Sequence, residues 1–159
     1  MNKALLVLDI LRIAAVGAAY FFGYGIGFSG EVYDPLTQIH FMVPILIPAV
    51  AGTSALEGLL FSRQSAEGKG FETGSNYQKQ SAYAMLSLTA AALLVYFANW
   101  GLFAELTLLF VFCLFFILSG INHAADAVKN RNYLWQNINR PFITLLMVLG
   151  LVYPVIKAL

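Results

Sequence analysis

Five polar residues in the C-terminal half of the chain recur at steps of three and four positions. They follow the apolar run from Gly101 to Leu118, and they are Ser119, Asn122, His123, Asp126 and Asn130. On an α-helix, residues at these steps share one face, so the pattern predicts a hydrophobic helix that ends in a polar stripe. The imidazole of His123 and the carboxylate of Asp126 are the groups in this stripe that could hold a proton or a metal ion.

Glu57 is the other acid of interest, because it lies near the end of a second apolar segment, five positions before Ser62. Together with His123 and Asp126 it would supply two carboxylates and one imidazole, which suit a proton or a divalent metal such as zinc, manganese or iron. The residues that we predict to bind a ligand, proton or cation are Glu57, His123, Asp126, Asn122, Asp9 and Arg12. We assign no catalytic residue from the sequence.

An alternative interpretation gives these side chains no function beyond the fold. Polar residues near the lipid headgroups are inexpensive, and these could simply cap helix ends and pair with Arg12, Lys79 or Lys129. One electrostatic argument favours a functional site. Glu57 and Asp126 both lie near the C-terminal ends of predicted helices, where the helix dipole disfavours an anion. The hypothesis is that Glu57 either changes protonation near neutral pH or is held charged by His123 or Arg12.

The composition places the site in a membrane protein. Of the 159 residues, 60% are hydrophobic and only 11% are charged, which leaves too little polar surface for a water-soluble fold of this size. The nine Lys and Arg residues are scattered and balanced by eight acids, so the chain carries no basic field for nucleic acid. Membrane lipid is therefore the predicted partner, and nucleic acid is not.

The apolar segments predict an all-α integral membrane bundle of five transmembrane helices, forming one polytopic domain over residues 1–159. The predicted spans cover residues 4–27, 35–61, 76–99, 103–128 and 141–159. The second choice is four spans, with the last segment forming a surface or partial helix. Residues 62–75 are polar and lack periodicity, so they predict a mobile cytoplasmic loop.

Local signals mark several helix boundaries and contacts. Asp34 followed by Pro35 predicts an N-cap with proline at the first helical position. Pro44 and Pro48 predict a kink in the second span, because each removes a backbone donor. Gly23-x-x-x-Gly27 permits close helix packing. Ser75-x-x-Gln78 predicts a capping box at the start of the third span.

The distribution of basic residues predicts the orientation. One set of helix ends carries most of them, while the opposite set has only Lys157; the first set comprises Lys3, Arg63, Lys69, Lys79, Lys129, Arg131 and Arg140. The positive-inside rule then places the N-terminus in the cytoplasm, in what we predict to be a bacterial inner membrane. The predicted site residues fall on the cytoplasmic side and His40 on the other. This separation argues against a haem ligated by His40 and His123, and the sequence requires no cofactor.

Three functions are compatible with this sequence. The first is a non-enzymatic binding or transport protein with a polar site near the cytoplasmic leaflet. The second is an accessory or assembly subunit of a larger membrane complex, and the third is a metal-dependent membrane enzyme that acts on a lipid or quinone. The first is our prediction, with a homo-oligomer or a larger membrane complex as the assembly in which it would work.

Overall fold

The structure is a computed structural model, and it describes residues 3–159 apart from the side chain of Gln136. The described chain forms seven α-helices and one π-helical turn, with no strand. In chain order these are α1 (Lys3–Gly27), α2 (Pro35–Ile47), the π-helical turn (Pro48–Gly52), α3 (Thr53–Leu60), α4 (Ser62–Lys69), α5 (Asn76–Phe97), α6 (Leu102–Lys129) and α7 (Trp135–Ala158).

Five helical segments of the described chain are long and apolar enough to cross a membrane. They are Lys3–Gly27, Pro35–Leu60, Asn76–Phe97, Leu102–Lys129 and Asn137–Ala158. The predicted all-α membrane bundle with five candidate spans is therefore confirmed. Large apolar side chains such as Phe21, Phe110 and Leu146 are 67% to 76% exposed on its outside. A surface of this kind fits lipid as the solvent.

The second span is the most buried of the five and forms the centre of the bundle. α1 packs along α2, and the two glycines predicted to allow close packing lie at this contact. A Cβ atom added to Gly23 would lie 2.5 Å from Cγ of Met42, and one added to Gly27 would collide with the side chain of Gln38. The two helices can approach this closely only because both positions lack a side chain.

Asp34 and Pro35 begin the second span as predicted. Oδ1 of Asp34 accepts the backbone N–H of Thr37 at 3.0 Å, and Oδ2 accepts the Thr37 hydroxyl at 2.6 Å. Proline at the first helical position removes an N–H that would have no partner in the helix. The cap therefore fixes where the central helix starts.

The second span contains a π-helical turn where the prolines predicted an irregularity. The N–H of Thr53 reaches the carbonyl of Pro48, five residues earlier, and its hydroxyl donates to the carbonyl of Ala49 at 2.5 Å. A π-helical turn holds one residue more than an α-helical turn, so the helix that follows is rotated by about 100° relative to an unbroken helix. The turn thereby decides which way the side chains of α3 face.

The segment between the second and third spans, which the sequence predicted to be a loop, is helical over its first eight residues. Residues Ser62–Lys69 form α4, with Ser65 and Ala66 buried against the bundle. Arg63 and Glu67 form an ion pair of 2.9 Å one turn apart on its exposed side. Gly70 ends the helix in the left-handed conformation with φ of +67°, which glycine adopts without strain.

Two further helix starts differ from the prediction. α7 begins at Trp135 rather than at Pro141, which lies in the second turn of the helix. The predicted capping box at α5 is only half formed. The hydroxyl of Ser75 accepts the N–H of Tyr77, but Gln78 donates its side-chain amide to the carbonyl of Glu72. At both helices the start depends on residues that precede the helix, and the short sequence patterns used for the prediction did not include them.

Candidate functional site: an ion cluster beside a cavity at the α4 end

The charged side chains converge at one end of the bundle. Here α1, α5 and α7 begin, α3 and α6 end, and α4 packs against α3 and α7. We call this end of the bundle the α4 end. The rotation introduced by the π-helical turn directs Glu57 of α3 towards α1 and α4. The site is therefore built from helix termini, where polar groups are already required to satisfy the backbone.

The carboxylate of Glu57 is the centre of this cluster. Its Oε2 accepts a hydrogen bond of 3.0 Å from Nη2 of Arg12. Its Oε1 accepts bonds of 2.6 Å from Nζ of Lys69 and 2.5 Å from the hydroxyl of Ser65. Nη2 of Arg140 lies 3.7 Å from the same oxygen. The Glu57 side chain is only 9% exposed, so one buried carboxylate faces three cations from three different helices.

Arg12 connects Glu57 to two further side chains. Its Nη1 donates to Oδ1 of Asp9 at 2.9 Å, and its Nε donates to the hydroxyl of Thr53 at 2.8 Å. All three kinds of nitrogen in the guanidinium group are thus engaged, which fixes its plane between α1 and α3. The cluster formed by Asp9, Arg12, Glu57, Lys69 and Arg140 carries one positive charge in excess. We call these five residues the ion cluster.

Lys69 is held in an unusual environment at the end of α4. Burial, followed by the nearby positive charge of Arg140, lowers the pKa of Lys69 to about 8, although the Glu57 carboxylate acts in the opposite direction. Its ammonium also donates to the hydroxyl of Ser65 at 2.5 Å. The Lys69 ammonium therefore loses its proton at a pH just above neutral, well below the pH at which an exposed lysine does so.

Arg140 differs from Arg12 in having no hydrogen-bond partner among residues 3–159. Among the described residues its one ion pair is that of 3.7 Å with Glu57, and 29% of its side chain is exposed. A guanidinium group has five N–H donors, so most of the donor capacity of Arg140 is unused by the protein. These donors lie beside the cavity described below.

A second polar group of residues ties α6, α7 and the end of α4 together. Nδ1 of His123 donates to Oδ1 of Asn137 at 2.7 Å, and Nδ2 of Asn137 donates to the carbonyl of Lys69 at 3.0 Å. Asn132 donates to the same carbonyl at 2.8 Å and to Oδ2 of Asp126 at 2.6 Å. The His123 ring also stacks on Phe71, with 5.2 Å between centroids. These contacts hold the last carbonyl of α4 in place.

A cavity of about 360 Å³ lies between the ion cluster and the second polar group. Glu57, Lys69 and Arg140 supply its charged lining, and Asn122 and His123 lie on its α6 side. Its polar lining is completed by Ser54, Ser62, Ser65, Tyr77, Gln78 and Ser81. Its volume falls within the range of sites that bind small molecules.

The remaining wall of the cavity is apolar. It contains Met85 of α5 together with Phe115 and Phe116 of α6. Deeper in the bundle, Leu46, Ile47 and Phe112 are at most 1% exposed to solvent. The cavity thus has a charged part at the α4 end, an apolar part, and a closed hydrophobic core beneath it.

The structure assembles only part of the predicted site. Asp9, Arg12 and Glu57 contact one another, and Asn122 and His123 line the same cavity. Asp126 turns instead to the amides of Asn130, Asn132 and Asn137. No three His, Cys, Asp or Glu side chains in the described chain lie close enough to hold a metal ion. The metal set of Glu57, His123 and Asp126 is therefore not formed. Arg12, rather than His123, is the predicted partner found on Glu57.

The site residues that the sequence did not reveal include Ser65, Lys69, Asn137 and Arg140. The helix formers in Ser62–Lys69 and the glycine after them are a signal that could have revealed α4 and, with it, a buried face carrying Ser65. The role of Arg140 had no such signal, because it depends on α7 starting six residues earlier than Pro141 suggested.

A separate hydrogen bond between a histidine and a carboxylate lies at the opposite end of the bundle. Nδ1 of His40 donates to Oε1 of Glu105 at 2.6 Å, and the His40 ring lies 4.7 Å from that of Tyr96. The Glu105 side chain is only 3% exposed, whereas that of His40 is 44% exposed. His40 and His123 lie at opposite ends, as the order of the spans predicted. This pair contributes no residue to the cavity at the α4 end.

The fold and the site together define a small polytopic α-helical membrane protein with a charged cavity at one end of its bundle. Comparisons of the chain with protein-family models, with curated proteins and with solved structures gave no match. The function must therefore be argued from the site itself.

Proposed function

We propose that this protein is a membrane-embedded binding protein whose cavity at the α4 end takes up a small amphiphilic molecule. The observation that carries the proposal is the combination of the ion cluster with an apolar wall in one cavity of about 360 Å³. Such a lining suits a ligand with a polar head and an apolar portion. Lipid-like molecules of this kind are available to any protein in a bilayer.

The energetics of the ion cluster support a binding role. Removing charged groups from water costs free energy, and well-packed apolar residues often stabilise a buried helix contact as much as an ion pair does. Five charged side chains are therefore not required merely to connect α1, α3, α4 and α7. Ionisable groups within membrane helices commonly belong to binding or transfer sites.

Binding is better supported than passage of a polar solute across the bundle. A polar pathway would have to continue from the cavity towards His40 and Glu105 at the other end. The described core between them is closed by apolar side chains, including those of Leu46, Ile47 and Phe112. We therefore propose binding from the α4 side, without a continuous pathway through this conformation.

The same proposal includes an orientation. Eight of the nine basic residues, including Arg12, Lys69 and Arg140, lie at or near the α4 end, whereas Lys157 lies near the opposite end. The positive-inside rule then favours a cytoplasmic α4 end and a ligand drawn from the cytoplasmic leaflet or the cytoplasm of a bacterial inner membrane. A cysteine introduced at the exposed Glu67 in a Cys113→Ser background would be labelled from the cytoplasmic side only; labelling from the other side alone would reverse the orientation.

The test of binding compares two substitutions on α5. Ser81 and Ser87 are both exposed, but only Ser81 lines the cavity, so Ser81→Phe places a bulky ring at the site and Ser87→Phe is the matched control. Dodecyl phosphate, dodecylamine and dodecanol would be titrated into protein in phosphatidylcholine nanodiscs, and the thermal unfolding midpoint recorded. A ligand that binds the folded state raises this midpoint in a saturable way.

The expected result is that at least one of the three compounds stabilises the wild-type protein and Ser87→Phe but not Ser81→Phe. The proposal is refuted if none of the compounds gives a saturable shift in the wild type. It is equally refuted if Ser81→Phe responds like the wild type to every compound that binds, since binding would then lie elsewhere.

A further inference from the structure

We propose that the cavity is selective for an anionic head group, with Arg140 as the residue that binds the phosphate or carboxylate of the ligand. This inference rests on the proposed binding function and specifies the charge of its ligand. It is carried by the unequal use of the cations around Glu57.

Arg12 and Lys69 are already committed to protein acceptors. Arg12 bonds to Asp9, Thr53 and Glu57, and Lys69 bonds to Glu57 and Ser65. Arg140 instead stands 3.7 Å from Glu57 without a hydrogen bond in the described chain, although it lines the cavity. A planar group with five free donors matches the paired oxygens of a phosphate or carboxylate.

The charge of the ion cluster favours the same ligand. Two carboxylates, those of Asp9 and Glu57, face three cations, so the cluster keeps one uncompensated positive charge beside the cavity. An anionic group next to Arg140 would neutralise this charge. A cationic ligand would increase it in a partly desolvated place, where repulsion between like charges is strong.

The test uses dodecyl phosphate as the anionic probe, with Arg140→Gln, Arg140→Lys and a surface control. Arg63→Gln removes a cation from the exposed side of α4, where the side chain is 79% exposed. We expect Arg140→Gln to weaken dodecyl phosphate binding about tenfold or more, as is typical for loss of a hydrogen bond between charged groups. Arg140→Lys should retain part of the affinity, and Arg63→Gln should leave it unchanged.

The source of the anion is decided by competition. If inorganic phosphate displaces dodecyl phosphate at millimolar concentration, the site accepts a soluble anion. If it does not, the apolar wall is needed and the ligand is a lipid head group. Either result agrees with the inference, provided that Arg140→Gln weakens the binding.

The inference is overturned if dodecylamine or dodecanol binds at least as tightly as dodecyl phosphate, or if Arg140→Gln and Arg63→Gln bind the phosphate equally well. In that case the proposed binding function is still tested on its own, by whether Ser81→Phe abolishes binding of the compound that does bind. If no probe binds the wild type, both proposals fail together. Circular dichroism of Arg140→Gln establishes that any loss of binding is not a loss of fold, and Arg140→Lys replaces it if the fold is lost.

Discussion

The substitution Glu57→Gln tests the ion cluster most directly, because it removes one charge while keeping the size of the side chain. In the wild type this carboxylate accepts hydrogen bonds from Arg12, Lys69 and Ser65 and is 9% exposed. A neutral amide cannot compensate the cations, so they would repel one another in a buried place. Removing one partner from a buried ion pair costs about 3–5 kcal/mol. We expect the free energy of unfolding to fall by about that amount.

The measurement is unfolding by sodium dodecyl sulfate in bicelles, followed by circular dichroism. Glu67→Gln is the matched control, because Glu67 and Arg63 form an exposed pair that contributes less than about 1 kcal/mol. Adding Lys69→Gln to Glu57→Gln restores the charge balance, so the double variant should be less destabilised than the sum of the single variants. A loss below about 1 kcal/mol for Glu57→Gln, or strictly additive losses, would refute our account of the cluster.

Three more predictions address other parts of the molecule. Burial holds the pKa of Lys69 at about 8 instead of 10.5, so the neutral amine forms as the pH rises through 8. The acetylation rate of Lys69, measured by mass spectrometry, should therefore be half-maximal near pH 8. A midpoint near pH 10.5 would contradict this. Glu105→Gln should destabilise the protein by about 1–3 kcal/mol, because the hydrogen bond from His40 loses its charged acceptor; unchanged unfolding would refute it. Gly70→Ala should cost about 1–2 kcal/mol or more, because φ is +67° and the added Cβ would lie 2.9 Å from Nδ2 of Asn132. Gly17→Ala, at an open helical site, should be neutral or stabilising, and equal effects would disprove this account.

The membrane-spanning architecture could be predicted because it depends on local properties of the chain. The length of an apolar run decides whether a helix can cross the bilayer, and Asp34 followed by Pro35 marks the start of the central helix without reference to any other segment. The sequence also predicted that α1 packs closely against another helix, since two glycines one turn apart permit close approach. It did not predict that these glycines would contact Met42 and Gln38 of α2.

The site was less predictable because it depends on two departures from regular helices. The π-helical turn changes the direction in which Glu57 points by about 100°, and the proline pattern indicates an irregularity without indicating its form. The early start of α7 brings Arg140 and Asn137 into the bundle from a segment that was assigned to a connection. We predicted that Glu57 and His123 would be in direct contact, but in the structure they line the same cavity without contacting each other.

The position of α4 shows why these departures matter to the proposed function. An isolated helix of eight residues is unstable, so α4 depends on its contacts with the rest of the bundle. Two groups of one residue contribute to this attachment, since the Lys69 ammonium binds Glu57 and the Lys69 carbonyl accepts bonds from Asn132 and Asn137. The same ammonium lines the cavity. An anion bound beside Arg140 would therefore lie next to one of the contacts that hold α4 on the bundle.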